Sequence, residues 1–277
     1  MRIRLVGLSI LVMLWGSGLS HAAERRSYYL ALGDSLAIGV QPSPSGEDVS
    51  TNQGYADDLY ALFRTRMPRL GLAKLGCSGE TTTTMIEGGI CSYAEGSQLA
   101  AAVSFLETHE VRLVTLDIGA NDVDGCISST GINATCVTTG LGTIGTNLPQ
   151  ILAELRNAAG PNTLIVAMNY YDPFLAAWTL GASGQTLAVA SLQTTTVFNG
   201  VLKTAYEAFS IPVADVATAY RIRDFTFVPV INLPVNVFLT LSWTWMGAPA
   251  PGGPNIHPNA VGYAVIAGTF AEKIASQ

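Results

Sequence analysis

The stretch Tyr28-Tyr29-Leu30-Ala31-Leu32-Gly33-Asp34-Ser35-Leu36 joins an apolar run to a polar turn. The apolar run predicts a short buried strand, so Ser35 would lie at the carboxyl end of that strand. In an open α/β sheet, this edge is where ligands bind. A serine there is a candidate nucleophile, and it needs a base, a group that orients the base, and donors for an oxyanion.

Strand-like and helix-like segments alternate along the chain. The predicted strands are 28–32, 70–75, 111–118, 163–168 and 211–216, and the predicted helices are 55–67, 98–107, 143–158, 188–209 and 260–275. This alternation predicts an α/β fold with a mainly parallel sheet. Right-handed crossovers would then give a three-layer α/β/α sandwich. Residues 37–53 predict a polar loop after Ser35, and residues 225–253 predict an irregular segment rich in apolar and aromatic side chains.

The first residues predict a secretory signal peptide over residues 1–22. Arg2 and Arg4 precede the uncharged apolar run 5–14, and Ser20-His21-Ala22 is a small-x-small cleavage site. The run is too short for a stable membrane anchor, so we expect one domain over residues 23–277, either extracellular or periplasmic. A net charge of −6 without a basic run argues against nucleic acid or an anionic membrane as a partner.

Four cysteines, Cys77, Cys91, Cys126 and Cys136, predict disulfides in an exported chain. Three pairings are possible. We favour Cys77–Cys91 and Cys126–Cys136, because each closes a short segment rich in Gly, Ser and Thr. The spacings match no familiar zinc pattern, so we expect neither a metal nor another cofactor.

The candidate base is one of two histidines outside the signal peptide. His109 precedes a predicted strand and would lie at the opposite edge of the sheet, where we interpret it as a solvated turn residue. His257 lies in a loop that leads into the last helix, on the same edge as Ser35. Asn121 follows the strand 111–118 and could donate its side-chain amide to an oxyanion. Gly79 follows another strand and could bring its backbone N–H close to a substrate.

These residues together resemble the SGNH/GDSL hydrolase family. Gly33-Asp34-Ser35-Leu36 matches the first family block, Gly79 the second, Asn121 the third, and His257-Pro258 the last. The resemblance implies a flavodoxin-like α/β/α fold and a serine esterase or lipase that works through an acyl-enzyme. It also implies an oxyanion hole made of the Ser35 N–H, the Gly79 N–H and the Asn121 amide.

The chain departs from the family pattern at the residue that orients the histidine. The family usually places an aspartate three residues before the histidine, and Pro254 stands there in this chain. We expect the Pro254 main-chain carbonyl to orient His257, with Asn255 as a second candidate. A distant acid, Asp172, is the alternative because it also follows a predicted strand.

The substrate is less well specified. The apolar stretch 225–245 predicts either core packing or a wall for an acyl chain, and we expect esters of short- to medium-chain acids, hydrolysed by a monomer. A carbohydrate acetylesterase is the alternative within the hydrolases. A binding protein on a catalytically dead fold is the alternative from another class, although Ser35, Gly79, Asn121 and His257 are all retained.

Overall fold

A computed structural model describes residues 26–277. Its centre is a sheet of five parallel strands: β1 (Ser27–Gly33), β2 (Gly71–Lys74), β3 (Glu110–Asp117), β4 (Leu164–Met168) and β5 (Val213–Ala214). In space the order is β2-β1-β3-β4-β5, with every neighbouring pair parallel. This is the flavodoxin-like order, which confirms the predicted fold class. The predicted signal peptide lies outside the described residues.

The helices cover the sheet. They are α1 (Tyr55–Arg64), α2 (Thr82–Glu87), α3 (Gln98–Thr108), α4 (Ala134–Ala158), α5 (Ala182–Ala208), α6 (Val216–Ala219), α7 (Val235–Trp243) and α8 (Ala260–Ala275). α1 packs against α8, whereas α4 packs against both α3 and α5. Right-handed crossovers in this strand order put these two groups of helices on opposite faces of the sheet. No helix in residues 26–277 combines the length and the apolar character needed to span a bilayer.

Two segments differ from the sequence-based prediction. α4 begins at Ala134 rather than at residue 143, because the Asn133 side chain caps its first turn by accepting from the Cys136 N–H. The glycines and threonines that follow hide this early start from a propensity argument. The segment 225–253 contains α7, whose Val237 and Thr240 are buried. Tertiary packing therefore stabilises a helix in a stretch where apolar periodicity is absent.

The site lies where the strand order reverses. Because β1 and β3 are neighbours but not consecutive in the chain, their following loops diverge and leave a crevice at their carboxyl ends. The loop after β1 carries Ser35, and the loop after β3 carries Asn121. The fold thus brings these two residues to one edge, as the sequence predicts.

Both disulfides follow the favoured pairing. Cys77 is bonded to Cys91, and Cys126 is bonded to Cys136. The first bond closes the segment that contains Gly79, and the second ties the loop after Asn121 to the first turn of α4.

Candidate active site

Ser35 and His257 are in direct contact. The imidazole Nε2 lies 2.9 Å from the Ser35 Oγ, and both side chains are buried, with 8% and 6% of their surface exposed. Ser35 follows β1 in a tight turn that is closed by the Val40 N–H donating to the Ser35 carbonyl. His257 comes from the loop before α8. The other described histidine, His109, ends α3, and its ring stacks on Phe105.

The partner of the second imidazole nitrogen is the Asn255 side chain. Asn255 Oδ1 lies 2.8 Å from His257 Nδ1, and it also accepts from the His257 backbone N–H at 2.9 Å. This is an Asx-type turn, in which a short side chain accepts from the backbone two residues further on. The turn folds the amide oxygen over the imidazole. The expectation that the Pro254 carbonyl makes this contact is therefore wrong, since the second candidate, Asn255, occupies the position.

A carboxylate stands behind Asn255. Asn255 Nδ2 donates to Asp48 Oδ1 at 2.7 Å, and the same carboxylate oxygen lies 3.7 Å from His257 Nδ1. Asp48 belongs to a two-stranded ribbon, Gln41–Pro42 with Asp48–Val49, inside the loop predicted to be polar. Sequence analysis missed this residue. The only signal was that Glu47 and Asp48 are the acidic residues of that loop.

Asp172 serves another purpose. Its carboxylate accepts from the Phe174 N–H and from Ser191 Oγ, each at 2.9 Å, and so caps the short helix Pro173–Leu180. These bonds leave it without contact to His257, so the alternative that Asp172 orients the histidine is wrong. Complete burial raises the pKa of Asp172 to about 7.

The burial of the imidazole favours its neutral form. Burial lowers the pKa of His257, and the nearby Asp48 carboxylate opposes part of that effect. A neutral imidazole that donates from Nδ1 to Asn255 presents the lone pair of Nε2 to Ser35. This tautomer can accept the serine proton.

Asn121 lines the same cavity as Ser35 and His257. Asn121 Nδ2 donates one N–H to the Glu80 carbonyl at 2.9 Å, which leaves its second N–H for another acceptor. Gly79 has a φ of +80°, and space beside its Cα is open. Within residues 26–277, neither the Ser35 N–H nor the Gly79 N–H has an acceptor among the protein groups. Asp122 accepts from Thr82 N and Oγ1, so it ties the Asn121 loop to α2.

Gln98 holds the turn that carries Ser35. Its Oε1 accepts from the Gly33 N–H at 2.7 Å, and its Nε2 donates to the Gly33 carbonyl at 2.9 Å and to Glu80 Oε2 at 2.8 Å. One buried amide thereby links the end of β1 to the Gly79-Glu80 segment. No sequence motif marks Gln98, which lies in the first turn of α3.

Two buried carboxyl groups lie below Ser35. Asp34 accepts from Tyr170 Oη at 2.9 Å, and Asp117 accepts from Tyr55 Oη. Burial raises the pKa of both groups, and the charge of Asp34 raises that of Asp117 further. Two buried carboxylates in contact cannot both ionise cheaply.

A narrow cavity of about 70 Å³ opens beside Ser35 and His257. Its apolar lining includes Leu36, Val123, Ile127, Tyr171, Phe174, Phe198 and Ile256. The stretch 225–245 contributes nothing to this lining, which favours its interpretation as core packing. That stretch instead forms α7 and the ribbon Phe227–Val228 with Leu233–Pro234.

No group of three or more His, Cys, Asp or Glu side chains is arranged to hold a metal ion in the part of the chain that the structure describes.

A family model of the GDSL-like lipase/acylhydrolase family matches residues 31–265. The chain belongs to this family. The match spans the serine turn after β1, the Asn121 loop and the His257 loop. Membership makes the protein a hydrolase of carboxylic esters. No protein of curated function matches the chain in sequence.

Solved structures share the fold at low sequence identity. The chain is similar to an extracellular lipase from Streptomyces rimosus, with a TM-score of 0.58, 18% identity, and coverage of 89% of this chain and 99% of that one. It is also similar to a catalytic mutant of an acetylxylan esterase from Geobacillus stearothermophilus, with a TM-score of 0.56, 17% identity, and coverage of 89% and 93%. A phospholipase A1 from Streptomyces albidoflavus matches with a TM-score of 0.53, 18% identity, and coverage of 89% and 98%. At these identities the likeness concerns the fold.

Proposed function

We propose that this protein is a secreted serine esterase that hydrolyses short- to medium-chain acyl esters through an acyl-enzyme on Ser35. The observation that carries the proposal is the 2.9 Å contact between Ser35 Oγ and His257 Nε2 at the mouth of an apolar cavity. Two disulfides and the predicted signal peptide support export of a single domain over residues 23–277.

The proposed reaction has two halves. Ser35 Oγ bonds to the ester carbonyl carbon while its proton passes to His257 Nε2. The carbonyl oxygen becomes an oxyanion that accepts from the Ser35 N–H, the Gly79 N–H and the Asn121 amide. Collapse breaks the bond to the alcohol, which takes the proton from His257. In the second half, water attacks the acyl-enzyme, gives a proton to His257, and releases the acid as Ser35 regains its proton.

The cavity supports an acyl group as its occupant. Aromatic and aliphatic side chains dominate its lining, and its small volume suits a short chain. We expect the highest kcat/KM among p-nitrophenyl esters from acetyl to decanoyl at the shorter lengths. Failure to hydrolyse any of them would contradict the proposal.

A second candidate function is hydrolysis of esters on carbohydrates. A groove of about 560 Å³, lined among others by Thr81, Thr83, Asn133 and Thr139, shares Asn121 with the proposed acyl cavity. Hydroxyl and amide groups of this kind suit a polyhydroxylated alcohol on the leaving-group side. Release of acetate from an acetylated sugar, at a kcat/KM above that for p-nitrophenyl acetate, would favour this function.

The first experiment is covalent labelling by a fluorescent alkyl phosphonate. An activated serine displaces the leaving group at phosphorus, so we expect one label per chain at Ser35, identified by mass spectrometry. Ser35→Ala should abolish labelling and ester hydrolysis, whereas Ser276→Ala, at the exposed end of α8, should change neither. A folded wild-type protein that takes no label and hydrolyses no ester would instead fit a binding protein.

A further inference from the structure

Asn255 is an amide held between an acid and a base. Its Oδ1 contacts His257 Nδ1 at 2.8 Å, and its Nδ2 contacts Asp48 Oδ1 at 2.7 Å. An ionised carboxylate accepts hydrogen bonds and has none to donate, so Asp48 favours the orientation that turns Nδ2 toward it, and the His257 backbone N–H that donates to Oδ1 favours the same orientation. The Oδ1 face is then directed at the imidazole.

This orientation decides which proton the imidazole carries. An amide oxygen can only accept, so His257 must donate from Nδ1 and keep its Nε2 lone pair for Ser35. The reversed amide would present N–H groups to Nδ1 and would favour the tautomer that cannot take the serine proton. The Asp48 charge also lies 3.7 Å from Nδ1, where it stabilises an imidazolium.

We propose that Asp48 is the positioning acid of this hydrolase, acting on His257 through the Asn255 amide. The inference rests on the proposed function of Ser35 and His257. It assigns the acid to a loop more than two hundred residues before His257 in sequence. The family pattern instead places an aspartate three residues before the histidine. The Ser35, His257, Asn255 and Asp48 side chains then form one hydrogen-bonded row.

The ribbon does not need the Asp48 side chain for its own pairing. Its strands are joined through backbone register between Gln41 and Val49 and between Pro42 and Asp48. The neighbouring Glu47 is exposed and is hydrogen-bonded through its backbone, whose carbonyl accepts from the Ser43 N–H and whose N–H donates to Ser43 Oγ. Glu47→Gln is therefore a matched control, because it removes a negative charge from the residue next to Asp48 without changing a contact to Asn255.

Other ionisable groups near the imidazole stay constant in this comparison. Asp34 precedes Ser35 and contacts Asp117 below it, and the Tyr171 hydroxyl donates to the Ile256 carbonyl beside His257. Asp48 itself is 44% exposed at its side chain, so solvent screens its charge. We therefore expect removal of the Asp48 carboxylate to lower kcat less than removal of a buried aspartate in a catalytic triad would.

The test compares variants at positions 48 and 255. Asp48→Asn keeps an acceptor for Asn255 but removes the charge, and we expect kcat to fall about fivefold with KM unchanged. Asp48→Ala removes both, and we expect a loss of about tenfold, within the range for residues that orient a functional ligand. In Asp48→Asn, the acid limb of the kcat/KM profile should move to lower pH, because the imidazolium loses its counter-charge. Glu47→Gln should leave kcat within twofold of wild type and should not move the acid limb.

A charge swap gives a second readout. Asn255→Asp alone places two carboxylates in contact and should lower kcat, whereas adding Asp48→Asn to it restores one carboxylate and one amide in exchanged order. We expect the double variant to recover most of the lost activity. Recovery of this kind would not follow from a merely structural role for Asp48.

Titration of the imidazole by NMR separates this inference from the proposed function. The His257 pKa should fall in Asp48→Asn even in a Ser35→Ala background that has no activity. If wild type hydrolyses esters and Ser35→Ala does not, while Asp48→Ala keeps wild-type kcat and the His257 pKa stays in place, the role of Asp48 is overturned. If no ester is hydrolysed, the proposed function fails, and the NMR shift alone decides whether Asp48 acts on His257.

Discussion

The Asn121 side-chain amide donates to the Glu80 carbonyl at 2.9 Å, which ties the loop after β3 to the segment that contains Gly79. This bond uses one of the two amide hydrogens of Asn121. Because the amide group is planar, the bond also fixes the direction of the second hydrogen. A single hydrogen bond therefore couples the two proposed oxyanion donors, the Asn121 amide and the Gly79 N–H. Their spacing does not depend on a flexible side chain alone.

We expect Asn121→Ala to lower kcat about 10²- to 10³-fold with a small change in KM, because an oxyanion donor acts mainly in the transition state. Steady-state kinetics on p-nitrophenyl butyrate measures the split. Asn157→Ala is the control, since Asn157 is exposed near the end of α4 and lies outside the proposed chemistry. Equal losses in both variants would indicate a structural effect rather than loss of a donor.

Gly33 has no room for a side chain. Its φ is +131°, and an added Cβ would lie 1.8 Å from the Asp117 carbonyl oxygen on the neighbouring strand. We expect Gly33→Ala to reduce soluble yield or to lower the melting temperature strongly. Gly142→Ala, at an exposed position in α4 with open space around it, should instead stabilise the protein by about 0.5–1 kcal/mol. A Gly33→Ala protein with a wild-type melting temperature would contradict this geometry.

Asp172→Asn should leave kcat within about threefold of wild type, because its carboxylate bonds to Ser191 and Phe174 rather than to His257. The same variant should change how stability depends on pH. Since burial raises the Asp172 pKa to about 7, its neutral form is favoured by folding. Its contribution is complete below the unfolded-state pKa of about 3.9 and is lost as the pH rises through 7.

Urea unfolding between pH 4 and pH 8 measures this effect. We expect the free energy of unfolding of Asp172→Asn to decline less than that of wild type across the interval. An equal decline in the two proteins would mean that Asp172 does not titrate there.

Phe174 lines the proposed acyl cavity. It lines the space beside Ser35, and its removal should admit longer chains. We expect Phe174→Ala to raise the ratio of kcat/KM for octanoyl over butyryl esters about tenfold. Phe238→Ala, which truncates a half-exposed aromatic residue of α7 outside the cavity, should leave the ratio unchanged. If both variants moved the ratio alike, the chain-length limit would lie elsewhere.

The Cys77–Cys91 bond closes a loop with a sequence separation of 14 residues around Gly79. We expect Cys77→Ser combined with Cys91→Ser to lower the free energy of unfolding by about 3 kcal/mol and to lower kcat, because the Gly79 turn gains freedom. Chemical denaturation and kinetics on the same preparation measure both. Full activity of wild type in excess reductant, with free thiols counted, would argue against a role for the bond in catalysis.

The elements with strong local signals were predictable. The apolar run of β1, the Val- and Leu-rich β3 and the capped α8 match their predicted positions closely, because burial and capping leave direct marks on residue order. The bounds of the short parallel strand β5 and the early start of α4 were not predicted correctly. The ends of β5 depend on hydrogen bonds to distant residues, such as that from the Ala167 N–H to the Pro212 carbonyl, whereas the start of α4 depends on the Asn133 cap.

The sequence by itself determined the order β-α-β, the edge of the sheet that carries Ser35, Asn121 and His257, and the favoured cysteine pairs. Only the tertiary structure decided what supports them. Gln98, Asp117 and Asp48 act on the site from three separate elements, and their side chains meet it across 65, 83 and 207 residues of sequence. Local pattern cannot encode such contacts, because a hydrogen bond of this kind exists only after the sheet has packed and the ribbon has folded over the histidine loop.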